Sequence, residues 1–426
     1  MKFKLWLVLL VCMLQTFTFA QTISYYKNIY PIIAKHCSVC HKNGENTPFV
    51  LDSYESVSSR IQTILKVVND NIMPPFPADT SYVKYHNQNV LTRNEKKNIQ
   101  NWITNGMKKG KTPKPNQTKN KINSIPKYNL ELKLIPYNYI SANNDDIYVY
   151  RILNWDFGKE TSVVDYSFDI RSPYLHHAEI LSLSNDDTTI LNDTLLFTNL
   201  YESKSFKLDK YLFGWFPGST CGIFPVGTQM KLEAHKNYLL ILHYIPTAQN
   251  FVDSSKFLMV LNKDSKPTRQ IQEFAVHGTY QYLHDNNHGV FIPANTIQSF
   301  HYSKTVTSDM SVFAVYGHAH HLCKNMLAYA VTPQNDTIPL LKINDWKFNW
   351  QLTYRFDKYK KIPKDSEIHF FATYDNTANN SENMHQPPID VYASFMADDE
   401  MMEFFMLYLD YQKGDELKKI QYMDNQ

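Results

Sequence analysis

Met310-Ser-Val-Phe-Ala-Val-Tyr316 is a short run of mainly apolar residues. Runs of this kind, rich in Tyr, Phe, Val, Ile and Leu and broken by Asn, Asp, Pro and Gly, recur from Tyr128 onward. Many short strands separated by turn residues are typical of β-sandwiches. Further examples are Ile147–Ile152, Tyr238–Ile245 and Glu403–Leu409.

The β-rich region is long enough for two consecutive sandwiches, since a domain takes roughly 150 residues. We place them at residues 129–265 and 266–426, with the boundary in the polar stretch Lys263–Arg269. The chain of 426 residues carries 29 Tyr, and its aromatic fraction of 14% also favours β-structure. A net charge of +2 and a charged fraction of 20% are those of an ordinary globular protein and give no indication of nucleic-acid binding.

The region before these strands has a different, helical pattern. Ile29, Ile32 and Ile33 recur at helical spacing, and a second helix is predicted to begin at Thr92 with a capping box to Glu95. We therefore expect a small all-α domain at residues 21–110. The following residues 111–128 are rich in Lys, Asn and Pro, which predicts a linker.

Residues 1–20 are expected to be a secretion signal peptide. Lys2 and Lys4 precede the apolar run Leu5–Leu14, and Ala20 is a small residue suited to cleavage. A membrane anchor is the alternative, but the run is shorter than the ~20 residues that span a bilayer. No later segment is apolar enough to span, so we expect no integral membrane segment after cleavage.

Cys37-Ser-Val-Cys40-His41 is a CxxCH motif. In such a motif two thiols add to the haem vinyl groups and the histidine becomes an axial iron ligand, which predicts one covalent haem c. The alternative is a metal or redox CxxC with an incidental histidine. Met73 is the candidate for the opposite axial ligand, with Met107 in reserve, because methionine opposite histidine raises the reduction potential.

With the helical flanks, residues 25–110 resemble small single-haem c-type cytochrome domains. The resemblance implies an electron-transfer role. Because covalent haem is attached outside the bacterial cytoplasmic membrane, it also implies that this exported bacterial protein resides in the periplasm or at the cell exterior.

Histidines recur at three places in the β-rich region. His318 and His320 follow an apolar strand, and residues i and i+2 of a strand share a face about 6.6–7 Å apart, so both can reach one metal. His321 then points to the other face, and a structural role is expected for it. The pair His176-His177 can share a metal only if the chain is irregular there, and His243 ends the run that begins at Tyr238. Each histidine alone is more often a satisfied polar residue.

The β-rich region resembles the copper type II, ascorbate-dependent monooxygenases, the family of peptidylglycine α-hydroxylating and dopamine β-monooxygenases. The resemblance spans about residues 129–426 and is diffuse between its motifs. The matching motifs are Tyr174-Leu-His176-His177, Gly214-Trp215-Phe-Pro217-Gly218, Leu242-His243-Tyr244, His318-Ala-His320-His321-Leu-Cys-Lys324 and Asp399-Glu400-Met401.

This resemblance implies two copper ions held by different donors. The first, an electron-storing copper, would be held by His176, His177 and His243. The second, which activates oxygen, would be held by His318, His320 and Met401, with Met402 and Met384 as alternatives to Met401. Two imidazoles and a thioether favour Cu(I), whereas thioether is not among the usual ligands of zinc.

The sequence departs from the family pattern at the positions that grip a substrate carboxylate in peptide-hydroxylating members. Those positions are Tyr316, Glu403 and Phe405 here, so a peptide ending in glycine is not the expected substrate. Met402 replaces a cysteine and Cys323 replaces a glycine of the pattern. In an oxidising compartment Cys221 and Cys323 either pair or stay free, and spacing alone leaves both open.

Together these features predict an exported haem- and copper-dependent monooxygenase that uses O2 to hydroxylate a small organic substrate. Electrons would enter through the haem from a periplasmic cytochrome, a quinol-linked donor or an ascorbate-like reductant. A different class stays open: a periplasmic haem and copper protein for electron transfer or copper binding, without oxygenase activity.

Overall fold

A computed structural model describes residues 23–42, 47, 49–112, 128–133, 138–139, 147–153, 160–183, 208–216, 223–262, 268–279, 289–393 and 399–422. The predicted signal peptide, most of the predicted linker, Pro217, Gly218 and Cys221 lie outside the described residues.

The chain divides into two compact units. The first takes its described residues from Met1–Asn43, Phe49–Pro74 and Leu91–Thr118, and the second from Gly44–Pro48, Pro75–Val90 and Lys119–Gln426. Pro75–Val90 therefore packs with the β-rich unit, although the sequence places it inside the helical region 21–110.

The first unit is helical. A π-helical turn at Tyr25–Ile29 leads into the helices, which are α1 (Tyr30–His36), α2 (Tyr54–Ser58), α3 (Ile61–Asn69) and α4 (Arg93–Thr104). The predicted capping box at the start of α4 is confirmed, because Thr92 and Glu95 each bond the other's backbone N–H. Trp102 of α4 is fully buried against Tyr25 and Ile29. Assignment of this helical unit as a cytochrome domain stays a prediction.

The second unit consists mainly of β-strands. They are β1 (Leu130–Lys133), β2 (Asn138–Tyr139), β3 (Ile147–Leu153), β4 (Thr161–Asp169), β5 (Leu175–Leu183), β6 (Leu208–Trp215), β7 (Thr228–Leu232), β8 (Tyr238–Tyr244), β9 (Phe251–Val252), β10 (Lys256–Leu261), β11 (Arg269–Gln270), β12 (Gln272–His277), β13 (Phe291–Ile292), β14 (Ile297–Thr305), β15 (Met310–His318), β16 (Cys323–Val331), β17 (Thr337–Ile343), β18 (Tyr354–Ile362), β19 (Glu367–Asp375), β20 (Val391–Tyr392) and β21 (Glu403–Asp410).

The strands before residue 271 form the first β-region. Its larger sheets have the orders β1-β10-β4-β7-β11 and β3-β8-β5-β6, and β2 pairs with β9. Side chains from both larger sheets, such as Tyr166, Phe213, Leu240 and Phe257, share one hydrophobic core. Two sheets that enclose a core are consistent with the predicted β-sandwich.

The later strands form the second β-region. Its larger sheets have the orders β12-β21-β15-β18 and β14-β19-β16-β17, and β13 pairs with β20. Val312 and Met406 of the first of these sheets face the core of the second region, whereas Ala314 and Leu407 join the core of the first. This sheet is therefore buried on both faces, which explains why the run Met310–Tyr316 is apolar apart from Ser311, whose hydroxyl donates to Asp415, and the hydroxyl of Tyr316.

No helix in the described ranges is both long and apolar enough to cross a membrane.

Candidate metal centres

Three buried histidines meet at the end of the β3-β8-β5-β6 sheet. His176 and His177 begin β5, and His243 lies near the end of β8. The pairing of β5 with β8 shifts register between Leu175 and His177, a β-bulge opposite His243. A bulge turns successive side chains out of strict alternation, so adjacent histidines are able to face the same point. The sequence indicates that the chain must be irregular at His176 and His177 if both are to bind one metal, and the bulge is such an irregularity.

The ring nitrogens of these histidines converge closely. The Nδ1 atoms of His176 and His177 lie 3.2 Å apart, and those of His177 and His243 lie 3.3 Å apart. Two nitrogens that bind one metal tetrahedrally at about 2.0–2.1 Å lie about 3.3 Å from each other. One ring nitrogen from each of the three histidines lies within 4.8 Å of the others, a spacing from which all three can reach one metal ion.

His318 lies at the end of β15, on the face turned toward the first β-region. Its Nδ1 lies 2.6 Å from Gln351 Oε1, and the Gln351 amide nitrogen donates to the backbone oxygen of Phe348 at 2.9 Å. Tyr316 also donates its hydroxyl to Gln351 Oε1, at 3.1 Å. Gln351 thus presents an acceptor, so His318 carries its proton on Nδ1 and its Nε2 is left as the metal-binding atom.

His320 has the same arrangement with a different acceptor. Its Nδ1 lies 3.0 Å from the backbone oxygen of Asp399, which again leaves Nε2 for a metal. The rings of His318 and His320 lie 5.2 Å apart between centroids. The two histidines thus form a pair whose second ring nitrogens are both oriented by protein oxygens.

The backbone of Met401 is linked to that of His320 through its neighbour Glu400. The fully buried Glu400 carboxylate accepts backbone N–H groups from His320 at 2.8 Å, Leu322 at 2.6 Å and Met401 at 3.2 Å. Burial raises the pKa of Glu400 to about 8, while these N–H donors act in the opposite direction. Of the alternative thioethers, Met402 is fully buried in the core and Met384 is 48% exposed, which favours Met401.

Burial favours the neutral form of three candidate ligands, His177, His318 and His320. It lowers the pKa of His318 to about 4, against a smaller opposing effect of the Gln351 hydrogen bond. Burial and the neighbouring histidines hold the pKa values of His177 and His320 well below their usual range. Neutral imidazole is the form that binds metal, so these three side chains need not lose a proton at neutral pH.

Phe348 packs against histidines of both sets. Its ring stacks on His176 at 5.1 Å and lies 5.8 Å from the ring of His320. It also packs on His321 at 4.1 Å. Phe348 belongs to the second β-region but joins a small apolar cluster on the β3-β8-β5-β6 sheet. One ring therefore contacts both candidate centres.

The CxxCH motif lies in the helical unit, directly after α1. Cys37 and His41 share one turn, because the His41 N–H donates to the Cys37 backbone oxygen at 2.9 Å. The Nδ1 of His41 lies 3.0 Å from the backbone oxygen of Phe49, which leaves Nε2 available as an axial ligand. Met73 is half-buried, and Met107 packs against the helical core.

The carboxylate-gripping positions of the family are engaged in internal contacts here. Glu403 is paired with His277 and accepts the backbone N–H of Thr279 at 3.3 Å. Phe405 and Tyr316 pack together with rings 5.8 Å apart. Cys323 is buried with a free thiol, and Cys221 lies outside the described residues.

The sequence analysis missed three residues that position the histidines: Gln351, Glu400 and Phe348. Asp399-Glu400-Met401 was singled out only for its methionine, and Gln351 and Phe348 carry no motif. Each acts through a contact with a strand that is remote in sequence, so no local pattern marks it.

Comparison with known families gives one match. Residues 286–423, about a third of the chain, match the model of the copper type II ascorbate-dependent monooxygenase C-terminal domain. The match supports this family for the second β-region and suggests a copper-dependent monooxygenase, for which O2 and a small organic substrate are fitting partners.

No curated protein matches the chain. Among solved structures, that of infectious bursal disease virus Gt strain has 11% identity and a TM-score of 0.15, covering 70% of this chain and 87% of the other. The Gx strain structure has 9% identity and a TM-score of 0.16, covering 67% and 71%. Superposition at these scores carries no argument about fold or function.

Proposed function

We propose that this protein is an exported, haem- and copper-dependent monooxygenase that hydroxylates a C–H bond of a small organic substrate with O2. The net reaction converts R–H, O2, two electrons and two protons into R–OH and water. Copper, when bound, supplies the electrons and the point at which O2 is reduced. The periplasm or cell exterior is the proposed location.

The observation that carries the proposal is the convergence of His176, His177 and His243 within metal-binding distance of one another, all buried. The Nδ1 of His177 lies 3.2 Å from that of His176 and 3.3 Å from that of His243, and a neutral imidazole nitrogen has only one hydrogen or one lone pair to offer, so one hydrogen bond does not account for both contacts. Three imidazoles suit copper in either oxidation state.

The second set of candidate ligands, His318, His320 and Met401, differs from the first in including a thioether. His318 and His320 present Nε2 atoms whose partner nitrogens are held by Gln351 and Asp399. With the Met401 thioether they would form a soft donor set, which favours Cu(I). The ring of Phe348 contacts a histidine of each set.

Two electrons per turnover must reach the histidine sets, and we assign their entry to a haem on Cys37 and Cys40. His41 fits as its axial ligand, since Phe49 fixes the ring with Nε2 available. When bound, the haem would supply electrons singly, from a periplasmic cytochrome, a quinol-linked donor or an ascorbate-like reductant.

A second candidate is a haem and copper protein without oxygenase activity. It is favoured by the internal pairing of Glu403 with His277, since this occupies a position that binds substrate in the family. Only the monooxygenase proposal expects O2 consumption by the reduced protein that accelerates with an added organic substrate.

The first test is the copper-to-haem ratio of protein matured with haem and loaded with copper, measured by elemental analysis. We expect a ratio near two, falling by about one in His243→Ala and in His318→Ala. His301→Ala, an exposed histidine on β14, is the control and should keep the full ratio. A ratio near zero, or one unchanged in both site variants, would contradict the proposal.

The haem ligand is tested separately. Met73→Ala should lower the haem reduction potential in a potentiometric titration, because it removes the thioether ligand. Met107→Ala should leave it unchanged. A lower potential in Met107→Ala and an unchanged one in Met73→Ala would identify Met107 as the axial ligand of the haem iron.

A further inference from the structure

The segment Pro75–Val90 lies between two parts of the helical unit in sequence, yet it packs with the β-rich unit. We infer that this anchor segment completes the second β-region by covering two of its edge strands, and that it keeps the N-terminal part of the chain bound to that region when the linker is cut. This inference does not depend on the proposed function.

The first half of the anchor segment pairs with β17. Ala78 forms an antiparallel bridge with Ile343, and the Asp79 N–H donates to the Lys342 backbone oxygen at 2.7 Å. The Asp79 carboxylate accepts from Asn344 Nδ2 at 3.1 Å and lies 3.5 Å from Lys342 Nζ. Both the backbone and the side chain of Asp79 are therefore bound at the C-terminal end of β17.

Tyr85 fixes the middle of the segment in the core of the second β-region. It is only 3% exposed, and its hydroxyl donates to the backbone oxygen of Leu340 in β17 at 2.9 Å. Its ring stacks on Phe356 at 5.7 Å and lies 5.1 Å from Tyr354, both in β18. Tyr85 therefore joins the last strand of one sheet to the last strand of the other.

The second half of the segment pairs with β18. The His86 N–H donates to the Arg355 backbone oxygen at 2.6 Å. The Asn87 side chain donates to the Thr353 backbone oxygen at 2.8 Å and accepts the Arg355 N–H at 3.0 Å. The Asn87 amide thus donates one hydrogen bond to the backbone and accepts another from it. In this way it takes the place of a neighbouring strand at the edge of β18.

Both partner strands are sheet edges. β17 ends the β14-β19-β16-β17 sheet and β18 ends the β12-β21-β15-β18 sheet. An edge exposes unpaired N–H and C=O groups, which proteins commonly cover with a further segment. Residues 266–426 alone would leave these two edges uncovered, so the second β-region is completed by residues from the N-terminal part of the chain.

The consequence concerns how the helical unit is attached. The chain leaves that unit at Pro74 and returns to it at Leu91, so both ends of the anchor segment lead into it. The helical unit is thus connected covalently to the β-rich unit before Pro75, after Val90 and through residues 111–128.

The test is to cut the chain with a protease and to determine whether the two fragments stay associated. A protease site placed within residues 113–127 of the full-length protein would release a fragment ending in the linker. We expect the cut fragments to co-elute in native size exclusion and to separate in denaturant. Separation of the wild-type fragments under native conditions would overturn the inference.

Variants assign the retention to the anchor segment. The double variant Tyr85→Ala, Asn87→Ala should weaken the association at least tenfold after cutting, whereas Tyr85→Phe should weaken it less and the exposed control Lys84→Ala should not. Unchanged co-elution of the double variant would overturn the inference. If the double variant does not fold, the single variant Asn87→Ala is examined by amide hydrogen exchange. We expect the backbone amides of β18 to exchange faster than those of β14. Equal exchange rates in the two strands would contradict the inference. None of these readouts requires copper or oxygenase activity.

Discussion

Glu400 and His320 are joined by a hydrogen bond in which the buried carboxylate accepts the backbone N–H of the histidine at 2.8 Å. The same carboxylate accepts the N–H of Met401, so one side chain connects the end of β15 with the segment that leads into β21. The distance between the two candidate ligands, one imidazole and one thioether, therefore depends on Glu400.

We expect Glu400→Gln to release copper from the His318, His320 and Met401 set. The amide offers only one acceptor oxygen and turns its NH2 toward a backbone N–H, and a buried donor left without an acceptor costs about 1–3 kcal/mol. The copper-to-haem ratio should fall from about two to about one, and the midpoint of thermal unfolding should drop. Glu382→Gln, at an exposed position, is the control. Full copper content in Glu400→Gln would contradict this role.

Gln351 should control the affinity of the same site through His318. Gln351→Ala removes the acceptor that orients the ring, and loss of such a partner typically weakens metal binding by about 10–100-fold. Gln351→Glu keeps an acceptor and should retain most of the affinity. Competition with a Cu(I) chelator measures the difference, with the exposed Gln334→Ala as the control. Equal affinities for Gln351→Ala and the parent protein would argue against it.

Much of the β-architecture could be predicted from the sequence because apolar runs and turn residues are local signals. The capping box of Thr92 and Glu95 was predictable for the same reason. The need for an irregular chain at His176-His177 followed from the alternation of strand side chains. The bulge that provides it depends on the register between β5 and β8, which no local pattern specifies.

The remaining features are non-local. Glu400 acts on His320 across 80 residues, and Tyr85 bonds Leu340 across 255. The anchor segment contains aromatic and polar residues but no strand pattern, so sequence placed it with the helices that flank it. The segment packs with the β-rich unit because it bonds the edge strands β17 and β18, and these edges exist only after the sheets have formed.

Glu273 should make stability depend on pH. Burial raises the pKa of this β12 carboxyl to about 8, and among the described residues its Oε2 has no hydrogen-bond partner. Between about pH 4.5 and 8 the folded state holds a proton that the unfolded state has lost. The free energy of unfolding therefore falls as pH rises through this window, by at most about 1.4 kcal/mol per pH unit.

The Glu273→Gln variant tests this effect because it stays neutral at every pH. Its stability advantage over the parent protein should be small near pH 4.5, grow up to about pH 8, and level off above. Urea unfolding at a series of pH values from 5 to 9 on copper-free protein measures it. A constant difference across the series would show that Glu273 is not buried as a neutral acid.

Phe348 should affect both stability and the relation between the two histidine sets. Phe348→Ala removes the ring that packs on His176 and His320, and such a truncation costs about 3–5 kcal/mol, whereas Phe348→Leu should cost less. Neither variant removes a ligand, so both should keep a copper-to-haem ratio near two. Because Gln351 bonds the backbone of residue 348 and not its ring, the His318 orientation should survive in both.

Whether the ring also separates the two histidine sets can be measured in the oxidised, copper-loaded protein. If Phe348 keeps the two Cu(II) ions apart, its removal should let them approach and broaden the EPR signal through dipolar coupling, which rises steeply as the distance falls. Phe291→Ala, at a phenylalanine 38% exposed on β13, is the control. An unchanged signal with unchanged stability in Phe348→Ala would mean that the ring neither supports nor separates the two centres.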